Sequence, residues 1–296
     1  MGQTLYLDTA NWYDLVEDKA PFRYLEPAIS SGRIIPVLSC IHLLEFGLRT
    51  QPYRARVTAF IDKVASLRGL LWIRDKRTVA RAEMQKALMK WMGLCSPPIG
   101  ALCDCFADAY TLPDAPLEVV DAKTISVAQV VEKLCDLPRY RSFLTMRGRM
   151  DTFRGISRLR EAYQENGRLP APKAVESVKS FLADVPNVIR TSAGVEVEVT
   201  AKMQAEFLNA LKWEEIPSIW LRISAMVGWS MTSGGDSSSD IEDLFHLVAV
   251  AYCDKAFADK RTLDALSKGR AYKLPVLNSE FVSWLEELHE EKEIAR

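Results

Sequence analysis

The 296-residue sequence is poor in the residues on which several common chemistries depend. It has only three histidines (His42, His246, His289), and its six cysteines, at 40, 95, 103, 105, 135 and 253, form no CxxC pair. A structural zinc site needs four soft ligands at workable spacings, and this pattern does not offer them. Reduced, partly buried thiols are the better reading. No apolar run reaches the roughly 18 to 20 residues that a membrane span needs. The opening MGQTLYLDTANW has no basic stretch followed by an apolar segment, so no export signal is read there. Tyr6 also stands where a myristoylation signal carries Ser or Thr. A cytoplasmic protein without a membrane partner is expected. An excess of charge of one sign is missing too: the formal net charge is −1, so the distribution of charge must decide whether nucleic acid is a partner.

Hydrophobic residues at 48% and charged residues at 26% describe a folded chain able to bury a sizeable core. Thr4–Leu7 is short, apolar and ends abruptly in Asp8-Thr9-Ala10-Asn11, as a buried parallel strand does when it delivers a polar residue at its C-terminal end. A second apolar run, Arg33–Leu38, leads into Ser39, a candidate N-cap, with Glu45 about two turns into the helix beyond it. A third strand is expected over Leu70–Arg74 and a helix from Thr78 to Met92. Trp12–Ser30 is long enough for the helical crossover between parallel strands. From about residue 95 to 230 the patterns are mostly helical, punctuated by prolines. After Ser233–Ser239 comes a helix opening on Asp240 and Asp243, then a short buried strand ending in Asp259, a last strand at Leu274–Leu277 and a closing helix over Ser279–Glu291. The expected architecture is an α/β core with a parallel sheet and helices on both faces. It is divided as 1–94 and 233–296, with a mostly helical insertion over 95–232.

The acidic residues are placed repetitively. Asp8 and Asp259 end strands, Glu45 follows a second strand, and Asp240 and Asp243 share one face at the start of a helix. Ligands of open parallel sheets bind beyond the carboxyl ends of the strands, so these groups could converge on one cleft. Clustered carboxylates repel unless a cation offsets them, and a hard, all-oxygen set suits Mg²⁺ or Mn²⁺. Each residue also has a plainer role open to it. Asp240 could be an N-cap and Asp243 an exposed first-turn acid. Asp259 could be a partner of Lys260 or Arg261, and His246 a satisfied helix histidine.

Together, Leu5-Tyr6-Leu7-Asp8-Thr9, Ser39 with Glu45, and Asp240-x-x-Asp243-x-x-His246 followed by Phe257-Ala258-Asp259 resemble the PIN-domain nucleases, over roughly residues 4–92 and 236–290. The resemblance implies a PIN-like core and Mg²⁺- or Mn²⁺-dependent hydrolysis of RNA. It implies Asp8, Glu45, Asp243 and Asp259 as the catalytic, metal-holding carboxylates, with Asp240 named beside Asp243. Two other readings stay open: a catalytically silent PIN-like binding or scaffold module, and a DNA-directed nuclease.

Other acid- or phosphate-dependent α/β classes fit less well. Ala10 stands where a haloacid-dehalogenase-like phosphatase needs a second Asp, and no glycine-rich GKS or GKT sequence follows the first strand. Residues 139–168 hold eight arginines against three acids, interleaved with Tyr140, Phe143, Phe153 and Tyr163. Arginines that neutralise phosphates beside rings that stack on bases suit single-stranded or structured RNA. Arg147, Arg149 and Arg154, with His246, are therefore expected substrate contacts. A protein inhibitor or a second copy of the chain is a further possible partner.

Overall fold

The apolar runs of the sequence assemble into one six-stranded sheet. The computed structural model describes residues 2–109, 126–136, 158–191, 194–231, 244, 246–269, 277–278 and 280–294. In chain order the strands are β1 (Gln3–Leu7), β2 (Ile34–Leu38), β3 (Leu71–Ile73), β4 (Leu102–Cys103), β5 (Val188–Arg190), β6 (Glu196–Glu198), β7 (Lys255–Phe257) and β8 (Leu277–Asn278). The sheet runs β4-β3-β2-β1-β7-β8, while β5 and β6 form a separate antiparallel ribbon. Among the described residues of the main sheet, β3 and β4 pair antiparallel and the other pairings are parallel. β1 is central, with Tyr6 opposite Val37 of β2 on one side and opposite Ala256 of β7 on the other. From β1 the chain builds outward through β2, β3 and β4, then returns to add β7 and β8 on the opposite side. The strand order therefore reverses between β1 and β7.

Alternation along the strands divides the apolar residues into two layers. Leu5, Leu7, Ile34, Leu38, Trp72 and Phe257 belong to one core. It is covered by α1 (Thr9–Val16), α2 (Phe22–Ser30), α3 (Cys40–Gly47), α4 (Gln51–Arg68), the helix Val127–Asp136 and the C-terminal helix Phe281–Ile294. Tyr6, Val37, Ile73 and Ala256 belong to the other, under α5 (Lys76–Trp91) and the helices Glu176–Ala183, Ala201–Ala210, Pro217–Ser230 and Lys260–Lys268. Helices of the 95–232 segment thus pack in both layers. Pro36 is unusual in a central strand, because it lacks a ladder donor. It stands one residue before β2 meets β3, which begins its pairing at Val37, so the missing donor falls where β2 has a neighbour on one side only.

The four helices that leave parallel strands β1, β2, β3 and β7 all start on a short polar N-cap: Asp8, Ser39, Asp75 and Asp259. Such side chains accept hydrogen bonds from the free N–H groups of the first turn. The edges of β1 and β7 are also clasped at their other end, where Asp254 accepts from the Thr4 amide and hydroxyl at 2.8 Å each. The helices Pro217–Ser230 and Lys260–Lys268 approach so closely that a Cβ on Gly228 would lie 1.8 Å from the Ala265 carbonyl oxygen.

A polar group is sealed into the second layer. Glu83 of α5 is fully buried and accepts from the Ser218 amide at 2.8 Å and from the Tyr252 hydroxyl through one oxygen. Its other oxygen, like Nε of Arg222, has no hydrogen-bond partner among the described residues. Burial lifts the Glu83 carboxyl from 4.5 to about 7, against the hydrogen bonds from Tyr252 and Ser218. A raised carboxyl favours the folded state below its unfolded value, and that contribution is lost as pH rises through the folded value. The chain is therefore expected to lose up to about 3 kcal/mol between pH 5 and 8 from this group. Glu83→Gln, which keeps the acceptor but cannot ionise, should flatten that part of the melting temperature–pH curve. An unchanged slope in the variant would overturn the assignment.

Candidate active site

At the C-terminal edge of the sheet, β1 and β7 deliver two aspartates side by side. The Asp8 amide donates to the Phe257 carbonyl oxygen at 3.1 Å, which ties the exits of the two strands together. Asp8 Oδ1 accepts from the Asn11 amide at 2.9 Å and from the Asn11 side chain at 2.7 Å. Asp259 caps its helix in the same way, accepting from the Thr262 amide at 2.9 Å and the Thr262 hydroxyl at 2.8 Å. The sequence pattern places Asp259 at the end of a strand; the strand stops at Phe257, and Asp259 is the N-cap of the helix Lys260–Lys268. Both aspartates therefore have a structural role that is compatible with a chemical one.

Glu45 reaches this edge from α3. Its Oε2 accepts from the Thr9 hydroxyl, in the first turn of α1, and meets His246 Nε2 at 3.3 Å. The other ring nitrogen of His246, Nδ1, is hydrogen-bonded to the Tyr6 hydroxyl, which also lies 3.0 Å from Ser39 Oγ. Behind Ser39 stands His42, whose Nδ1 accepts from the Ser39 amide at 3.0 Å and whose Nε2 meets the Leu7 carbonyl oxygen at 2.7 Å. The partners assign the protons. An amide N–H only donates and a carbonyl only accepts, so His42 is neutral with its hydrogen on Nε2. An ionised Glu45 only accepts, so His246 carries a hydrogen on Nε2.

The electrostatics agree with this assignment of hydrogens. Burial drives His42 down to about 3, and the neighbouring His246 adds to the effect. Burial lifts Asp8 to about 6; the Asn11 amide and His246 pull it down, while Asp259 and Glu45 push it up. Glu45 is also raised by burial, but His246, Thr9 and His42 outweigh that and hold it below the ordinary range. Asp8 thus feels the charges of His246, Asp259 and Glu45, and Glu45 feels that of His246. Among the described residues, no three or more His, Cys, Asp or Glu stand close enough together to hold a metal ion. Asp240, Asp243, Arg147, Arg149 and Arg154 lie outside the described residues.

Both ring nitrogens of His246 are taken by protein partners, so its place here is behind Glu45. Tyr6 is a member of this cluster that its sequence context conceals, since it reads as one more apolar strand residue. Its signal is its position: it alternates with Leu5 and Leu7 and so faces the opposite layer, where His246 arrives.

The chain matches no protein-family model, and neither a curated protein nor a solved structure is significantly similar to it.

Proposed function

We propose that this chain is a metal-dependent nuclease with a PIN-like core, which hydrolyses RNA phosphodiester bonds at the C-terminal edge of its sheet. The observation that supports this most is the convergence of Asp8 and Asp259 at the ends of adjacent parallel strands, where the strand order reverses, with Glu45 electrostatically coupled to Asp8. Crevices at such reversals are the usual ligand sites of open α/β sheets.

The donors fit a hard cation in kind. They are carboxylate oxygens, and neither Asp8 Oδ2 nor Glu45 Oε1 has a hydrogen-bond partner among the described residues. One or two of Asp8, Glu45 and Asp259, which do not close up as a set of three, would hold Mg²⁺ or Mn²⁺ with waters and with Asp240 or Asp243 beside them, since Mg²⁺ keeps several waters when one or two carboxylates bind it. Such an ion, when bound, lowers the pKa of a coordinated water and neutralises charge developing on phosphate. The chain's own residues prepare the site. Thr9 and His246 occupy Oε2 of Glu45, which fixes the rotamer and leaves Oε1 for a ligand. Asn11 does the same for Oδ1 of Asp8.

The test is to incubate the pure protein with end-labelled single-stranded RNA and DNA, with Mn²⁺ or with EDTA. RNA cut with Mn²⁺ and intact with EDTA is the expected result. Cleavage that survives EDTA overturns the metal dependence. Cleavage of DNA alone transfers the activity to the other polymer, and binding without cleavage makes the chain a silent binding module.

A further inference from the structure

Arg49 lies four residues beyond Glu45, just past the C-terminal end of α3. Helix α3 ends at Gly47, but the Arg49 amide still bonds to the Phe46 carbonyl oxygen at 3.2 Å, so the turn continues. The side chain is exposed, yet it does not float. Its Nε donates to the Tyr13 hydroxyl at 3.0 Å, and its guanidinium carbon lies 4.4 Å from the centre of the Tyr13 ring. Tyr13 is itself buried and fixed. Its hydroxyl reaches the Glu45 carbonyl oxygen at 3.3 Å, and its ring packs edge-on against Tyr53 at 5.5 Å and against Phe46 at 5.9 Å. No carboxylate pairs with Arg49 within salt-bridge distance among the described residues.

An exposed arginine ordinarily samples many rotamers or pairs with the nearest acid. This one is seated on a ring and, among the described residues, hydrogen-bonded through Nε alone, which leaves both terminal nitrogens, the forked edge that matches a phosphate's paired oxygens. Stacking on tyrosine holds the fork without neutralising it. The same tyrosine touches the backbone of the residue that carries the Glu45 carboxylate, so the cation and the carboxylate are held at a set separation.

We propose that Arg49, seated on Tyr13, binds a backbone phosphate of the nucleic-acid strand next to the phosphodiester held at Asp8 and Glu45. This rests on the nuclease reading and names one of its substrate contacts. It sits beside the α/β core, joined through Tyr13 to the backbone of Glu45, and draws on no residue of the arginine-rich 139–168 segment.

The experiment measures fluorescence anisotropy of a labelled single-stranded oligouridylate with the full chain, in EDTA so that nothing is cut. Parent, Arg49→Ala, Arg49→Lys and Tyr13→Phe are compared between about 50 and 200 mM salt. Arg49→Ala should weaken binding roughly five-fold. It should also make the log–log salt slope shallower by about 0.7, the share of one phosphate on a single strand. Arg49→Lys should restore the slope while recovering little of the affinity, because the fork and the stack are lost. Tyr13→Phe keeps the ring and removes the hydroxyl, and should fall between the two. With Mn²⁺ present, Arg49→Ala should raise KM more than it lowers kcat. Parent-like affinity and slope in Arg49→Ala overturn the assignment. If the parent cleaves RNA and the variant is indistinguishable from it, only the arginine contact falls. If the parent neither binds nor cleaves, the nuclease reading falls with it.

Discussion

Asp8→Asn is expected to remove the proposed nuclease activity while leaving the chain at least as stable as the parent at pH 8. The first half rests on chemistry. Ion-assisted stabilisation of a phosphodiester transition state is worth several kcal/mol, which corresponds to roughly a 10³-fold loss when a ligand carboxylate becomes an amide. The second half rests on electrostatics. Burial, Asp259 and Glu45 lift the folded-state carboxyl from 3.8 to about 6. A raised carboxyl contributes stability below its unfolded value and loses it as pH rises through the folded value, so above pH 6 the ionised Asp8 is a burden on the fold. Removing that charge should gain about 1 to 3 kcal/mol at pH 8 and nothing near pH 3. The cap survives, because asparagine is as good an N-cap as aspartate and can still accept from the Asn11 amide. Melting curves in EDTA at the two pH values, beside RNA cleavage with Mn²⁺, check both halves. Added Mn²⁺ should raise the melting temperature of the parent and not of the variant. Retained cleavage would remove Asp8 from the chemistry, and an equal loss of stability at both pH values would remove the charge argument.

Gly228→Ala is the other large effect, and it acts through backbone alone. A Cβ there would meet the Ala265 carbonyl oxygen at 1.8 Å and its carbonyl carbon at 2.4 Å. The contact is reciprocal, since a Cβ on Gly269 would lie 2.0 Å from the Ser224 carbonyl oxygen. A clash with a flexible side chain can be relieved by a rotamer change, but a clash with helix backbone can be relieved only by moving the helix. Overpacking of this kind costs about 1 to 3 kcal/mol and sometimes more. The gain in helix propensity from alanine, up to about 1 kcal/mol, offsets a part. We expect a net loss of about 1 to 3 kcal/mol and a fall in melting temperature of roughly 2 to 6 °C. The helix that must move is the one Asp259 caps, so cleavage should fall more than the unfolded fraction explains. Unchanged melting would show that the two helices are free to separate.

The residues legible in the sequence are those whose signal is local. Asp8 closes an apolar run, Ser39 precedes a helix, and Asp259 comes two residues after Phe257; each is a strand end or a cap, readable within a few residues. Glu45 stands out because a carboxylate among Leu43, Leu44 and Phe46 needs a partner, and it has Thr9 and His246. The illegible part depends on contacts distant in sequence. Tyr6 and His246 are 240 residues apart, and only the assembled sheet brings them together. Glu83 looks like one of several charges on a helix with weak amphipathicity; its burial is imposed by the helix Pro217–Ser230 and by Tyr252. β4, two residues long, is too short for any period to register.

The central position of β1 also sets an order of events during synthesis. β1 leaves the ribosome long before β7 and can pair with β2 early, but its other neighbour is β7, and the Thr4–Asp254 clasp joins residues 250 apart. Until Phe257 emerges, one edge of the first strand has no partner, a template for pairing with other nascent chains. Asp259 emerges later still. A ribosome-bound chain therefore lacks one of the three carboxylates at this sheet edge until the segment beyond β7 has been made, about 250 residues after Asp8.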